Sequence, residues 1–135
     1  MAQENIETLK EGYAAFSKGD IETAFSTFDD DIEWTGVSEL LPAGGRFKGK
    51  QAVTEQWLGE VAENFEEFSA QPEEYCESGD YVFVLGTGRN KVKGGASFEA
   101  PFVHVWKFRD GKSISVKFFT DSAKGLKALQ EAGKA

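Results

Sequence analysis

With 135 residues, 40% of them hydrophobic and 13% aromatic, the chain can build one domain with a sizeable core but not two. A formal charge of −8, from 23 acidic and 15 basic residues, argues against a nucleic-acid backbone or an anionic membrane surface as partner. A single cysteine, Cys76, and a single histidine, His104, exclude an intramolecular disulfide and are too few for a zinc site.

The N-terminal stretch MAQENIETLK is polar, so no signal peptide is expected, and no apolar run approaches the roughly 20 residues of a membrane span. A soluble, cytoplasmic protein is the expectation. Ile6, Leu9, Tyr13 and Phe16 recur at steps of three and four, which places them on one face of an amphipathic helix. Gly19 stops that helix and Asp20 reads as the N-cap of a second, with Ile21, Ala24, Phe25 and Phe28 on its buried side. Asp29-Asp30-Asp31 ends it, and Ile32 to Thr35 reads as a short strand. A loop, SELLPAGGRFKG, follows. Lys50 to Phe65 then fits a third helix, with Val53, Trp57, Val61 and Phe65 at successive four-residue steps.

The rest is β-rich: about Phe68 to Glu77, Asp80 to Val92, Ser97 to Arg109 and Lys112 to Thr120. Gly94-Gly95 is expected to connect the second and third of these, and Asp110-Gly111 the third and fourth. Phe102, His104, Trp106 and Phe108 alternate with Val103, Val105, Lys107 and Arg109, the period of a strand whose two faces differ. Val103 and Val105, with Val82 and Val84 beside them, are expected on an exposed sheet face that pairs two copies as a homodimer. A last helix, from about Ser122 to Ala132, uses Leu126 and Leu129 to close over something apolar. Helices first and a meandering sheet afterwards mean α+β, with a bent sheet and a ligand-sized pocket inside it.

Two glycine patterns fail on context. Gly44 to Lys50 matches G-x-x-x-x-G-K, but Gln51 stands where Ser or Thr would hold magnesium and ELLPA is a poor strand. Gly86 to Lys91 lacks the third glycine of a dinucleotide site. No G-x-S-x-G occurs, and Cys76 has no basic neighbour to lower its pKa. His104 has two readings: a buried histidine satisfied by a neighbouring hydroxyl or carbonyl, or a cavity-facing acid, base or hydrogen-bond donor. Its aromatic flanks Phe102 and Trp106 favour an apolar pocket. Asp121 is as double-sided, an N-cap for the last helix or a carboxylate at a strand end close to His104. Tyr13 could offer its phenol to the pocket, and Trp34 and Trp57 could wall it.

Several of these segments together carry a resemblance. Tyr13 to Asp20, Phe28 to Trp34, Leu41 to Gly45 with Phe47-Lys48-Gly49, Gly79 to Val82, His104-Val105-Trp106, Asp110-Gly111-Lys112 and Thr120-Asp121 together resemble SnoaL-like proteins. These belong to the ketosteroid isomerase and nuclear transport factor 2-like superfamily. The resemblance implies one cone-shaped α+β domain over residues 1–135, a curved antiparallel (mixed) sheet around N-terminal helices, commonly dimeric. It spans isomerases, polyketide cyclases, dehydratases and members without known chemistry, so it does not fix function. Ketosteroid isomerase pairs an Asp base with a Tyr and a protonated Asp. Here Gly36 falls at the base, Gly12 at the Tyr, with Tyr13 one position late, and His104 at the protonated Asp. In SnoaL-like cyclases an Asp at a late strand end is the acid/base, a position Asp121 could occupy.

The expectation is a cavity enzyme without metal or other cofactor, acting by acid/base chemistry on a small apolar carbonyl or enol compound. Asp121 and His104 would be its catalytic residues, and Tyr13, Trp34, Trp57, Phe102, Trp106 and Phe118 its pocket walls. The alternative is a non-catalytic ligand-binding or dimerisation module.

Overall fold

The computed structural model describes residues 2–36 and 45–134. The first part of the proline- and glycine-containing loop lies outside the described residues. So do Gly44 of the phosphate-loop look-alike and Leu41 to Gly44 of the resemblance.

Helix α1 (Ala2–Ser17) turns its apolar stripe inward, burying Leu9 and Ala15 and packing Ile6, Tyr13 and Phe16 against the core. Gly19 leaves the helix with φ 81°, and the Asp20 carboxylate caps α2 (Ile21–Ala24) by accepting from the Thr23 N–H at 3.2 Å. The second helix is shorter than the spacing predicts. It ends at Ala24, and strand β1 (Phe28–Thr35) begins at the phenylalanine assigned to its buried face. Phe25 and Phe28 are buried and stacked at 4.7 Å, an outcome that a helix or a turn into a strand serves equally. The acidic triplet lies within β1. There the Asp29 carboxylate accepts from the Asp31 N–H at 2.9 Å, and the pairing with β6 shifts register.

Strand β2 (Arg46–Lys48), read from sequence as loop, pairs antiparallel with β1 and sets Lys48 opposite Glu33. Residues 50–64 are helical throughout: α3 (Lys50–Ala52), a π turn (Val53–Trp57) and α4 (Leu58–Asn64). Four-residue steps overshoot a 3.6-residue turn by about 40° each, so a wider π turn keeps Val53, Trp57 and Val61 on one buried face.

Strands β3 (Phe65–Ser78), β4 (Tyr81–Val92), β5 (Ser97–Arg109) and β6 (Lys112–Thr120) form an antiparallel meander. The hairpin turn between β5 and β6 puts Asp110 (φ 52°) and Gly111 (φ 79°) both in the left-handed region, the geometry that matches strand twist. The full order is β2-β1-β6-β5-β4-β3, with β1 and β6 parallel, so the sheet is mixed, curved and open. At its bend Gly86 is obligatory. A Cβ there would stand 2.2 Å from the Gln71 carbonyl oxygen and 2.6 Å from the Phe102 ring. Opposite it, Pro72 sits next to a bulge in edge strand β3.

The even-numbered residues of β4 and β5 face the helices. Val82 and Val84 pair with Trp106 and His104 and are fully buried, which corrects their expected place on the outer face. The outer face instead carries Tyr81, Phe83 and Leu85 beside Val103 and Val105. Helix α5 (Ser122–Glu131) seals the far end with Gly125, Ala128 and Leu129, and Lys124 ties it to β5 by donating to the Glu99 carbonyl at 3.1 Å. Among the described residues no helix is long and apolar enough to cross a membrane.

Candidate functional site

Between the concave face of the sheet and α1 lies a half-enclosed cavity of about 170 Å³. A closed cavity of this order holds one benzene ring in an unrelated protein, so a longer ligand would extend through the open side. Helix α1 contributes Leu9, Gly12, Tyr13 and Phe16; the sheet contributes Phe28, Trp34, Phe102, His104, Trp106 and Phe118; the π turn contributes Trp57. The wall is aromatic and continuous: Trp34 lies 4.8 Å from Trp57 and 4.9 Å from Phe118, centroid to centroid.

One polar chain runs into this wall. The Trp106 indole N–H donates to the Tyr13 hydroxyl at 3.0 Å, and that hydroxyl lies 2.6 Å from His104 Nδ1. An indole can only donate, and the Tyr13 hydroxyl has no other acceptor among the described residues, so the phenol proton is assigned to Nδ1. The imidazole is then the neutral tautomer with its proton on Nε2. Burial pulls the His104 pKa down to about 3, and the same cause holds the Tyr13 phenol far above its ordinary value, partly offset by the Trp106 hydrogen bond. The imidazole is clamped by rings, stacked on Phe102 at 4.0 Å and edge-on to Phe118 at 4.5 Å. Tyr13 is its one hydrogen-bond partner among the described residues, which leaves Nε2–H for whatever enters the cavity.

Asp121 is elsewhere. Its carboxylate is exposed and caps α5, accepting from the Ala123 N–H at 3.2 Å, and it does not line the cavity, although its neighbours Phe119 and Thr120 do. The structure therefore brings together Tyr13, Trp34, Trp57, Phe102, His104, Trp106 and Phe118 and leaves Asp121 outside. No carboxylate lines the cavity among the described residues. Nor do those residues hold a cluster of three or more His, Cys, Asp or Glu side chains placed for a metal. Gly12 and Gly36, which the resemblance sets at the isomerase's Tyr and base, both line the cavity, so the space of those side chains is open.

Sequence reasoning missed Phe28 and Phe68 as walls and passed over Asn90, which lies on the inward row of β4. The signal for Asn90 was available. It is the one large polar side chain at an even position among Val82, Val84, Gly86, Gly88 and Val92.

A model of the SnoaL-like domain matches residues 9–116. None of the curated proteins matches the chain. Among solved structures, an NTF2-like protein of unknown function from Burkholderia pseudomallei is 30% identical, with 93% of this chain and 97% of that one covered at a TM-score of 0.87. TerC, co-crystallised with polyporic acid, is 29% identical over 94% of this chain and 98% of its own, also at 0.87. Bal32a, from a soil-derived mobile gene cassette, is 27% identical over 96% of each chain at 0.78.

Proposed function

The chain belongs to the SnoaL-like domain family, and from that premise we propose that it binds a small, flat, largely apolar compound whose carbonyl or enol oxygen is held by His104. The observation that carries this reading is the Trp106–Tyr13–His104 hydrogen-bond chain, which ends at a cavity walled chiefly by rings and small or aliphatic residues. In an apolar wall, a fixed N–H donor selects for a ligand acceptor, because a buried polar group left unpaired is costly. A neutral imidazole suits an uncharged oxygen, and His104 stays neutral because burial opposes its protonation.

Acid/base turnover of the isomerase, cyclase or dehydratase type is the second reading. A preorganised Nε2–H donor favours it, since such a group stabilises charge developing on an enolate oxygen. The absence of a carboxylate from the cavity lining of the described residues sets binding ahead of it.

Trp34, Trp57 and Trp106 all line the cavity, so ligand entry should change tryptophan fluorescence. Polyporic acid, the compound co-crystallised with TerC, is a natural first probe. Saturable quenching is expected, weakened about tenfold or more by His104→Leu and less by Tyr13→Phe, which frees the imidazole tautomer without removing it. A dose-independent signal, or equal affinity in folded His104→Leu, would sink the reading.

A further inference from the structure

The inward row of β4 reads Val82, Val84, Gly86, Gly88, Asn90, Val92. Five of these six positions have an apolar side chain or none. Asn90 breaks the row and lines the cavity, yet its Oδ1 is sealed from solvent without a hydrogen-bond partner, and its amide makes no side-chain hydrogen bond among the described residues. A leucine would fill the same volume without stranding a polar group, so the position gives up stability. Two other cavity-lining hydroxyls are engaged elsewhere: Ser69 donates to the Arg89 carbonyl at 3.0 Å and Thr120 to the Pro101 carbonyl at 2.8 Å. Gly88 keeps the approach open, since a Cβ there would stand 3.6 Å from the Asn90 amide nitrogen.

Asn90 is far from His104 on the same concave surface. It pairs with Phe98 while His104 pairs with Val84, a separation of six residues along both strands. At ~3.3 Å per residue that is roughly 20 Å of strand, and less across the bend. Phe68, Phe102 and Phe118 line the cavity as well. We propose that Asn90 is a second polar anchor of the cavity. The ligand class is then a flat aromatic compound longer than a single ring, with a hydrogen-bond acceptor at the His104 end and a hydroxyl at the Asn90 end. A hydroxyl both donates and accepts, so it pairs with the amide whichever way the amide is turned. This rests on the cavity reading above and adds the length and far-end chemistry of the ligand.

The test uses para-acetylbiphenyl with and without a hydroxyl on the distal ring, titrated against the full chain by tryptophan fluorescence. Wild type should bind the hydroxylated compound about tenfold more tightly. In Asn90→Leu that preference should fall below about twofold, whatever change in affinity the two compounds share, and the ligand-free melting temperature should rise by ~3 °C. Should Asn90→Leu not fold, Asn90→Ala carries the same comparison. Binding that depends on His104 but ignores the hydroxyl, or a preference that survives in the Asn90 variants, overturns this anchor alone. Failure of both compounds to bind overturns the cavity reading and the anchor together.

Discussion

Both faces of the long hairpins carry apolar side chains, yet they meet different surroundings. On the inner face Val84 and Val116 have no exposed surface, and Val82, Phe102 and Trp106 are buried with them. At alternate positions of the same strands, on the outer face, Tyr81 is 40% exposed and Phe119 55%. Valine and phenylalanine occur on both faces, while the charged residues Arg89, Lys91, Glu99 and Lys107 fall only on the outer one. What separates them is also the layer opposite: α1, the π turn and α4 cover one face, and nothing among the described residues covers the other. Period-two alternation sorts residues into two sets, but it takes a helix lying across one set to say which is inside.

The sharpest way to break this assignment is a matched pair of substitutions. Val84→Asp places a charge at a position with no exposed surface, and buried charges without partners belong to the most destabilising changes known. It should leave little cooperatively folded protein. Val103→Lys, flanked in register by Leu85 and Phe119 on the outer face, should melt within a few degrees of wild type. The outer strip is also where a second copy is expected to dock, so wild type should sediment as a dimer at micromolar concentration and Val103→Lys as a monomer. Circular dichroism and sedimentation read both outcomes. A folded Val84→Asp would reverse the faces, and a monomeric wild type would end the dimer expectation.

Much of the architecture was legible because local signals agreed with the global fold. The β5–β6 hairpin has the bounds its alternation and Asp110-Gly111 turn announce, because those two residues supply the positive φ that the turn demands. Tyr13, Trp34, Trp57, Phe102, Trp106 and Phe118 lie along the cavity, but so do Phe28 and Phe68, which their spacing did not mark. Legibility failed where two structures satisfy one pattern. Phe25 and Phe28 are buried whether α2 continues or the chain enters β1, and pairing with β6 decided for the strand. Val82 and Val84 suit either face. The three residues of β2 are too few to carry a period, and only β1 beside them makes a strand. The hydrogen bond from Tyr13 to His104 joins residues 91 positions apart, a distance no local pattern reaches.

A smaller effect sharpens the inner face itself. Burial draws the His104 pKa from an ordinary 6.5 to about 3, so between those values the unfolded chain binds a proton that the folded chain refuses. This contribution is constant above about pH 6.5, and stability falls as pH drops through the window, by about 1.4 kcal/mol per unit. His104→Gln removes the titrating group while the carboxylates stay common to both proteins. Urea melts between pH 7 and 4 should therefore show wild type losing stability faster than the variant. Parallel profiles would mean that His104 is hydrated and belongs to no closed cavity.

The smallest effect belongs to Asp121, and it tests where the inner face stops. Along β6 the inward residues are Val116, Phe118 and Thr120, in register with Trp106, His104 and Phe102. Asp121 is the next residue, with outward parity, and its carboxylate turns to the first turn of α5 rather than to the cavity. A carboxylate so placed only caps. Asn caps about as well as Asp, whereas Ala loses the acceptor and typically costs about 1 kcal/mol. Asp121→Asn should then match wild type in melting temperature and in affinity for polyporic acid, and Asp121→Ala should melt lower but bind as tightly. The acid/base reading demands the opposite of any activity that is found: a folded Asp121→Asn slowed about 10²-fold or more. Loss of affinity or rate in that variant would put Asp121 back beside His104 and break the division between the two faces at the end of β6.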